Sequence, residues 1–170
     1  MRLIIISLFL LLFLSACAST GPAPSNRTAP PVLTEVETEV RQPASEESAG
    51  IQVQPLQNPA VRQLLASASA SESAGQLEQA AQMLERGLRI EPRDPELLQR
   101  MAEIRLQQEA WQQAISFATR SFDMGAQTGE LCARNWRTMA LANEYLKDPQ
   151  AAAAARTHID DCMRQRPKKY

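Results

Sequence analysis

Three cysteines, at positions 17, 132 and 162, are the side chains of this 170-residue chain best suited to covalent chemistry. A thiol can be modified, can pair with a second thiol, or can ligate a metal. A metal site needs three or four ligands at fitting spacing, and the single histidine, His158, has no such cluster beside it. The sequence contains no glycine-rich phosphate loop and no G-x-S-x-G elbow. Glu46-Glu47 sit in a proline-rich stretch, and Asp160-Asp161 are neighbours on a helical pattern, so neither is a positioned acid–base pair. No enzyme, cofactor or metal is expected. Eighteen basic residues against nineteen acidic ones leave a net charge of −1, which argues against a nucleic-acid partner. The cationic MRQRPKKY at 163–170 reads as a frayed helix end with a basic tail over 166–170.

Each cysteine needs an element to place it. Before Cys17 come one arginine, the run LIIISLFLLLFL (3–14), and small residues, which is the layout of a secretory signal over 1–16. The run falls short of the roughly 20 apolar residues of a membrane span. Its ending, Leu14-Ser15-Ala16-Cys17, resembles the bacterial lipobox, where cleavage precedes a cysteine that receives lipid. That resemblance implies a palmitate-bearing lipoprotein anchored through Cys17. Ala18 stands where an aspartate would mark inner-membrane retention, so the expected address is the outer membrane, facing the periplasm.

Residues 17–60 then change character. Seven of the eleven prolines fall here, among Ser, Thr, Glu and Gln, with no aromatic residue. Such a composition cannot bury enough apolar area to offset ordering entropy, so a disordered tether is expected. Its coil span would be roughly 35–40 Å and its stretched reach about 140–155 Å.

From 61 to 165 the pattern is helical and repeats. Leu77, Ala80, Ala81, Leu84 and Leu88 recur at helical spacing, as do Trp111, Ala114, Ile115, Ala118 and Phe122. Asp94-Pro95 and Asp148-Pro149 supply an N-cap followed by proline at the first helical position. The segments fall into a period of about 34 residues, the length of a tetratricopeptide repeat. Repeat one (61–94) offers Leu64, Ala68, Gly75, Ala80 and Pro92 near signature positions; repeat two (95–128) offers Leu98, Ala102, Trp111 and Ala118. A third, from about 133, offers Trp136, Ala140 and Ala152. The expected fold is all-α, a stack of about three helical hairpins, the minimum that makes a continuous core.

That register places the other two cysteines. With third-hairpin helices at about 131–146 and 149–163, Cys132 and Cys162 both lie about 21–23 Å from the turn, on antiparallel neighbours. In an oxidising compartment, with Cys17 occupied by lipid, a Cys132–Cys162 disulfide is expected. The same register turns the first helix of each hairpin toward the concave face. Arg62, Leu65 and Glu72, then Gln99, Glu103, Leu106 and Gln107, then Arg134, Arg137, Leu141 and Glu144 are read as its outward positions. Gln99, Glu103, Gln107, Arg134 and Arg137 are the expected partner-binding set.

LERGLRIEPRDPEL (84–97) and ARNWR (133–137) resemble the LpoP family of small tetratricopeptide lipoproteins found in pseudomonads and their relatives. The resemblance covers roughly 60–160, together with the plan of lipobox, tether and small repeat domain. It implies an outer-membrane activator of a bifunctional peptidoglycan synthase of the penicillin-binding protein 1b type, working in cell-wall synthesis by protein–protein interaction. A monomer is expected. The alternative is a pilotin-like or other envelope-assembly lipoprotein that scaffolds a secretin or a cell-envelope complex.

Overall fold

An asparagine or aspartate followed by proline opens three of the helices. Asn58 and Asp94 accept hydrogen bonds from the backbone N–H groups of Ala60 (2.9 Å) and Leu97 (2.8 Å), and Asp148 from that of Ala151 (3.0 Å). Each cap satisfies a donor that the first helical turn leaves free, and the proline after it has no N–H to lose. The structure is a computed structural model that describes residues 35–42 and 58–164. The signal over 1–16, Cys17, the rest of the expected tether and the tail over 166–170 lie outside the described residues.

Among the described residues, six α-helices follow in order: α1 (Pro59–Ser73), α2 (Leu77–Ile90), α3 (Pro95–Gln107), α4 (Trp111–Met124), α5 (Glu130–Tyr145) and α6 (Pro149–Arg164). They pair as three antiparallel hairpins, α1/α2, α3/α4 and α5/α6, stacked in chain order. This is the three-repeat tetratricopeptide stack, entered two residues before 61 because Asn58 caps and Pro59 begins α1. No described helix is long and apolar enough to cross a membrane.

Packing follows the small-and-large pattern of the sequence. Ala68, Ala80, Ala81 and Leu84 close the first hairpin against Leu97, Met101 and Ile104 of α3. Gly87 faces Leu97 so closely that an added Cβ would stand 2.8 Å from a leucine methyl carbon, so any larger residue at this crossing would make the Leu97 side chain shift. Ala102 and Ala118 carry the core into Met139, Ala140 and Ala155 of the third hairpin. There Cys132 and Cys162 form a disulfide between α5 and α6, with 5.7 Å between their Cα atoms, among Phe122, Trp136 and Ile159. A cross-link closing a loop of this length stabilises by roughly 3–4 kcal/mol on the chain-entropy account. The Gly129 N–H also donates to the Cys162 carbonyl (2.9 Å), tying the start of α5 to the end of α6.

The turn inside each hairpin requires one residue with positive φ. Gly75 supplies it in the first (φ 72°), but Glu109 (60°) and Lys147 (62°) do so in the second and third. A side chain in that region costs about 1–2 kcal/mol, against roughly 0.5–1 kcal/mol for the extra chain entropy of glycine. Lys147 is exposed. Lys147→Gly should therefore raise stability by up to about 1 kcal/mol, a gain of several degrees in melting temperature. A lower melting temperature would show that the lysine side chain contributes more than its backbone strain costs.

Candidate functional site

The inner face of the stack is built by α1, α3 and α5, the first helix of each hairpin. Its polar side chains converge on the carboxylate of Glu103, which is fully buried. Arg134 of α5 approaches it at 2.6 Å and Arg100, one turn earlier on α3, at 3.3 Å. The Gln99 amide donates to it at 3.0 Å and to the Thr138 hydroxyl at 2.8 Å. Glu72 of α1 joins the cluster through Arg100 (2.8 Å) and accepts from the Gln107 amide. Arg134 also reaches Glu96 (3.1 Å), and Arg137 reaches Glu130 (2.8 Å).

One further cation comes from outside the repeats. Residues Val36–Val40 form a single π-helical turn lying across the inner face, and Arg41 follows it. The Arg41 guanidinium bridges Glu72 and Glu103, 2.7 Å from each. Val36 and Val40, four residues apart and both fully buried, pack on Leu106, Ala114, Leu141 and Ala142, beside Trp111 and Tyr145. The Tyr145 hydroxyl donates to the Glu35 carboxylate, Arg156 pairs with Glu39 (2.9 Å), and Arg137 donates to the Val40 and Gln42 carbonyls at 3.4 Å. Beside Arg41 and Gln42 a cavity of about 400 Å³ continues the groove between Leu65, Ser69, Arg100 and Arg134.

Charge shifts follow from this arrangement. Burial alone would push the Glu103 carboxyl upward, but Arg134, Arg41 and Arg100, helped by the Gln99 amide, hold it down at about 2. For Arg134, burial works against the charged form, and Glu103 and Glu96 outweigh it, raising the guanidinium pKa. The hydrogen bond to Glu35, with burial adding to it, pushes the Tyr145 phenol up to about 12.

The five residues expected to face a partner do come together on the inner face, but not as solvated positions. Gln99 and Glu103 have no exposed surface, Gln107 is buried, and Arg134 and Arg137 are mostly covered by their ion pairs. Glu72, Leu106 and Leu141, also read as outward, are buried too. The turn at 36–40 with Arg41 covers Glu72, Glu103, Leu106 and Leu141, while Gln99 is closed in against Thr138 of α5 and Gln107 against Glu72 of α1. Composition averaged over 17–60 hid that turn; the local signal was Val36 and Val40 at i, i+4 followed at once by an arginine. His158 stacks on Trp136 at 4.2 Å on the opposite side of the third hairpin, and the described residues contain no group of three or more His, Cys, Asp or Glu placed to hold a metal ion. The site is a surface of carboxylates, guanidiniums and aliphatic side chains, its charged groups paired with one another.

Residues 73–121 match the tetratricopeptide repeat family. Among solved structures, the globular C-terminal domain of P. aeruginosa LpoP is similar, with 35% sequence identity and a TM-score of 0.59, over 61% of this chain and 98% of that one. No curated protein sequence matches.

A carboxyl held below its ordinary 4.5 adds stability that is complete above that pH and is lost as pH falls toward about 2. Glu103→Gln should thus cost on the order of 3 kcal/mol at pH 7, since it leaves the arginines facing a neutral amide. The gap between variant and native chain should shrink as denaturation is followed from pH 5 down to pH 2. A gap that stays constant over this range would mean that Glu103 is not ionised in the folded protein.

Proposed function

We propose, from the premise that this chain belongs to the LpoP family of tetratricopeptide proteins, that it binds and activates a class A penicillin-binding protein, a peptidoglycan synthase of the 1b type. The observation that carries this reading is the match to the LpoP globular domain along nearly its whole length, at 35% identity. The inner face supports it, because a stack this small has one surface where side chains from all three hairpins meet. Arg134 is held by Glu103, which Gln99 orients, and Arg137 by Glu130 and the Val40 and Gln42 carbonyls, while Gln107 secures Glu72.

The rest of the chain fits the same task. A lipid on Cys17 would hold the protein to the periplasmic side of the outer membrane, and the residues from 18 to 34, ahead of the docked turn, would give the domain a reach of about 55–60 Å toward the peptidoglycan. Activation in this scheme is a shift of the synthase toward its active state, and it requires that the domain bind that state more tightly than the resting one.

The test is affinity capture from solubilised envelopes using the chain from residue 18 onward as bait, followed by assay of the captured enzyme. A class A penicillin-binding protein should be retained, and its rate of glycan polymerisation or cross-linking should rise several-fold when the bait is added. Capture of a secretin in its place, or of a synthase whose rates do not change, would contradict the proposal.

A further inference from the structure

The turn at Val36–Val40 belongs to none of the repeats, yet it covers the surface on which they converge. Without it, Leu106 and Leu141 would line an open trough, and Glu72 and Glu103 would lose a cation. The charges are complementary. In the ion-pair cluster centred on Glu103, three carboxylates (Glu72, Glu96, Glu103) meet two guanidiniums of the inner helices (Arg100, Arg134), and Arg41 supplies the third.

We propose that Glu35–Gln42 is an intramolecular ligand of the inner groove, and that the groove's intended partner is a peptide segment of the same chemistry: two aliphatic side chains four residues apart, followed by an arginine. This deepens the function proposed above and rests on its claim that the inner face docks a partner; the presence of a resident ligand stands without that claim.

Each part of the ligand has a matching part in the groove. The aliphatic pair is read by Leu106 and Leu141. The arginine is read by two carboxylates that its fork spans, with Nε on Glu103 (2.8 Å) and Nη2 on Glu72 and Glu103. A lysine ammonium is a single point of charge and cannot reproduce that bridge. The turn is also releasable. One helical turn is far below the length at which a helix persists alone, so its form depends on the groove. The fifteen residues from 43 to 57 that connect it to the cap at Asn58 can stretch about 50 Å, enough to let it leave.

Competition sets the affinity a partner needs. A connection of fifteen residues holds the resident segment at an effective concentration on the order of millimolar. A partner segment must exceed that, and the cavity beyond Gln42 gives it room to do so. A longer peptide could continue past its arginine into the space between Leu65 and Arg134, which the resident turn leaves unfilled.

The test uses the whole chain in detergent and a fluorescent synthetic peptide of residues 33–44. Trypsin should cut after Arg41 at least tenfold more slowly in the native chain than in the free peptide. The peptide should bind a Val36→Asp/Val40→Asp chain at least tenfold more tightly than the native chain, and an Arg41→Lys peptide should lose most of that binding. Equal cleavage rates in chain and peptide overturn the proposal, and so does equal binding by the two chains. Neither measurement contains a synthase. A chain that passes both and captures no penicillin-binding protein would refute the function above and leave the resident ligand in place.

Discussion

A carboxylate taken wholly out of water must be met by cations and hydrogen bonds, or its burial would unfold the protein. Glu103 is that carboxylate. Its partners come from α3 itself, from α5 and from the turn before α1, and Glu72 extends the cluster to α1. Apolar contacts between hairpins are non-directional and tolerate sliding, whereas the Arg134 and Arg41 guanidiniums fit Glu103 in one register only. The polar cluster thus sets how the three first helices align, and the alanine-rich crossings supply the area that holds them together.

A stack of three hairpins has little core to spare, and both of its vulnerable places are reinforced. The last hairpin, furthest from the repeat pattern, carries the Cys132–Cys162 disulfide and the Gly129–Cys162 backbone bond. The inner face, where Leu106 and Leu141 would otherwise meet water, is covered by Val36 and Val40. The same cover limits access to the surface proposed to bind the synthase. Stability and recognition therefore draw on one set of side chains, and a partner that displaces the turn must replace both its apolar cover and its positive charge.

The repeat architecture was legible because it is written in spacing. Leu77, Ala80, Ala81 and Leu84 keep the helical period, and Asp94-Pro95 and Asp148-Pro149 mark helix starts through chemistry that works locally. Which inner-helix positions would be dry was not legible. Gln99, Glu103 and Gln107 are polar residues that a register places on a concave face, and by type alone they belong in water. Glu103 is closed off partly by Arg41, more than fifty residues earlier, and Gln99 by Thr138 of the next hairpin, neither of which a period can report. The segment's own signal, Val36 and Val40 ahead of Arg41, is two apolar residues long and was diluted by the prolines around it. LpoP-like identity, by contrast, rests on stretches such as ARNWR, whose Arg134 pairs with Glu103 and whose Arg137 pairs with Glu130.

The central claim is that the turn docks through a specific ion pair with the buried network, and a double-mutant cycle between Arg41 and Glu72 measures this directly. Stabilities would be compared for the native chain, Arg41→Ala, Glu72→Gln and the two combined. A docked Arg41 predicts a coupling energy of at least about 1 kcal/mol, outside the roughly 0.3–0.5 kcal/mol range in which independent sites add. Strict additivity would contradict the account, because it would mean that the two charges do not meet in the folded protein.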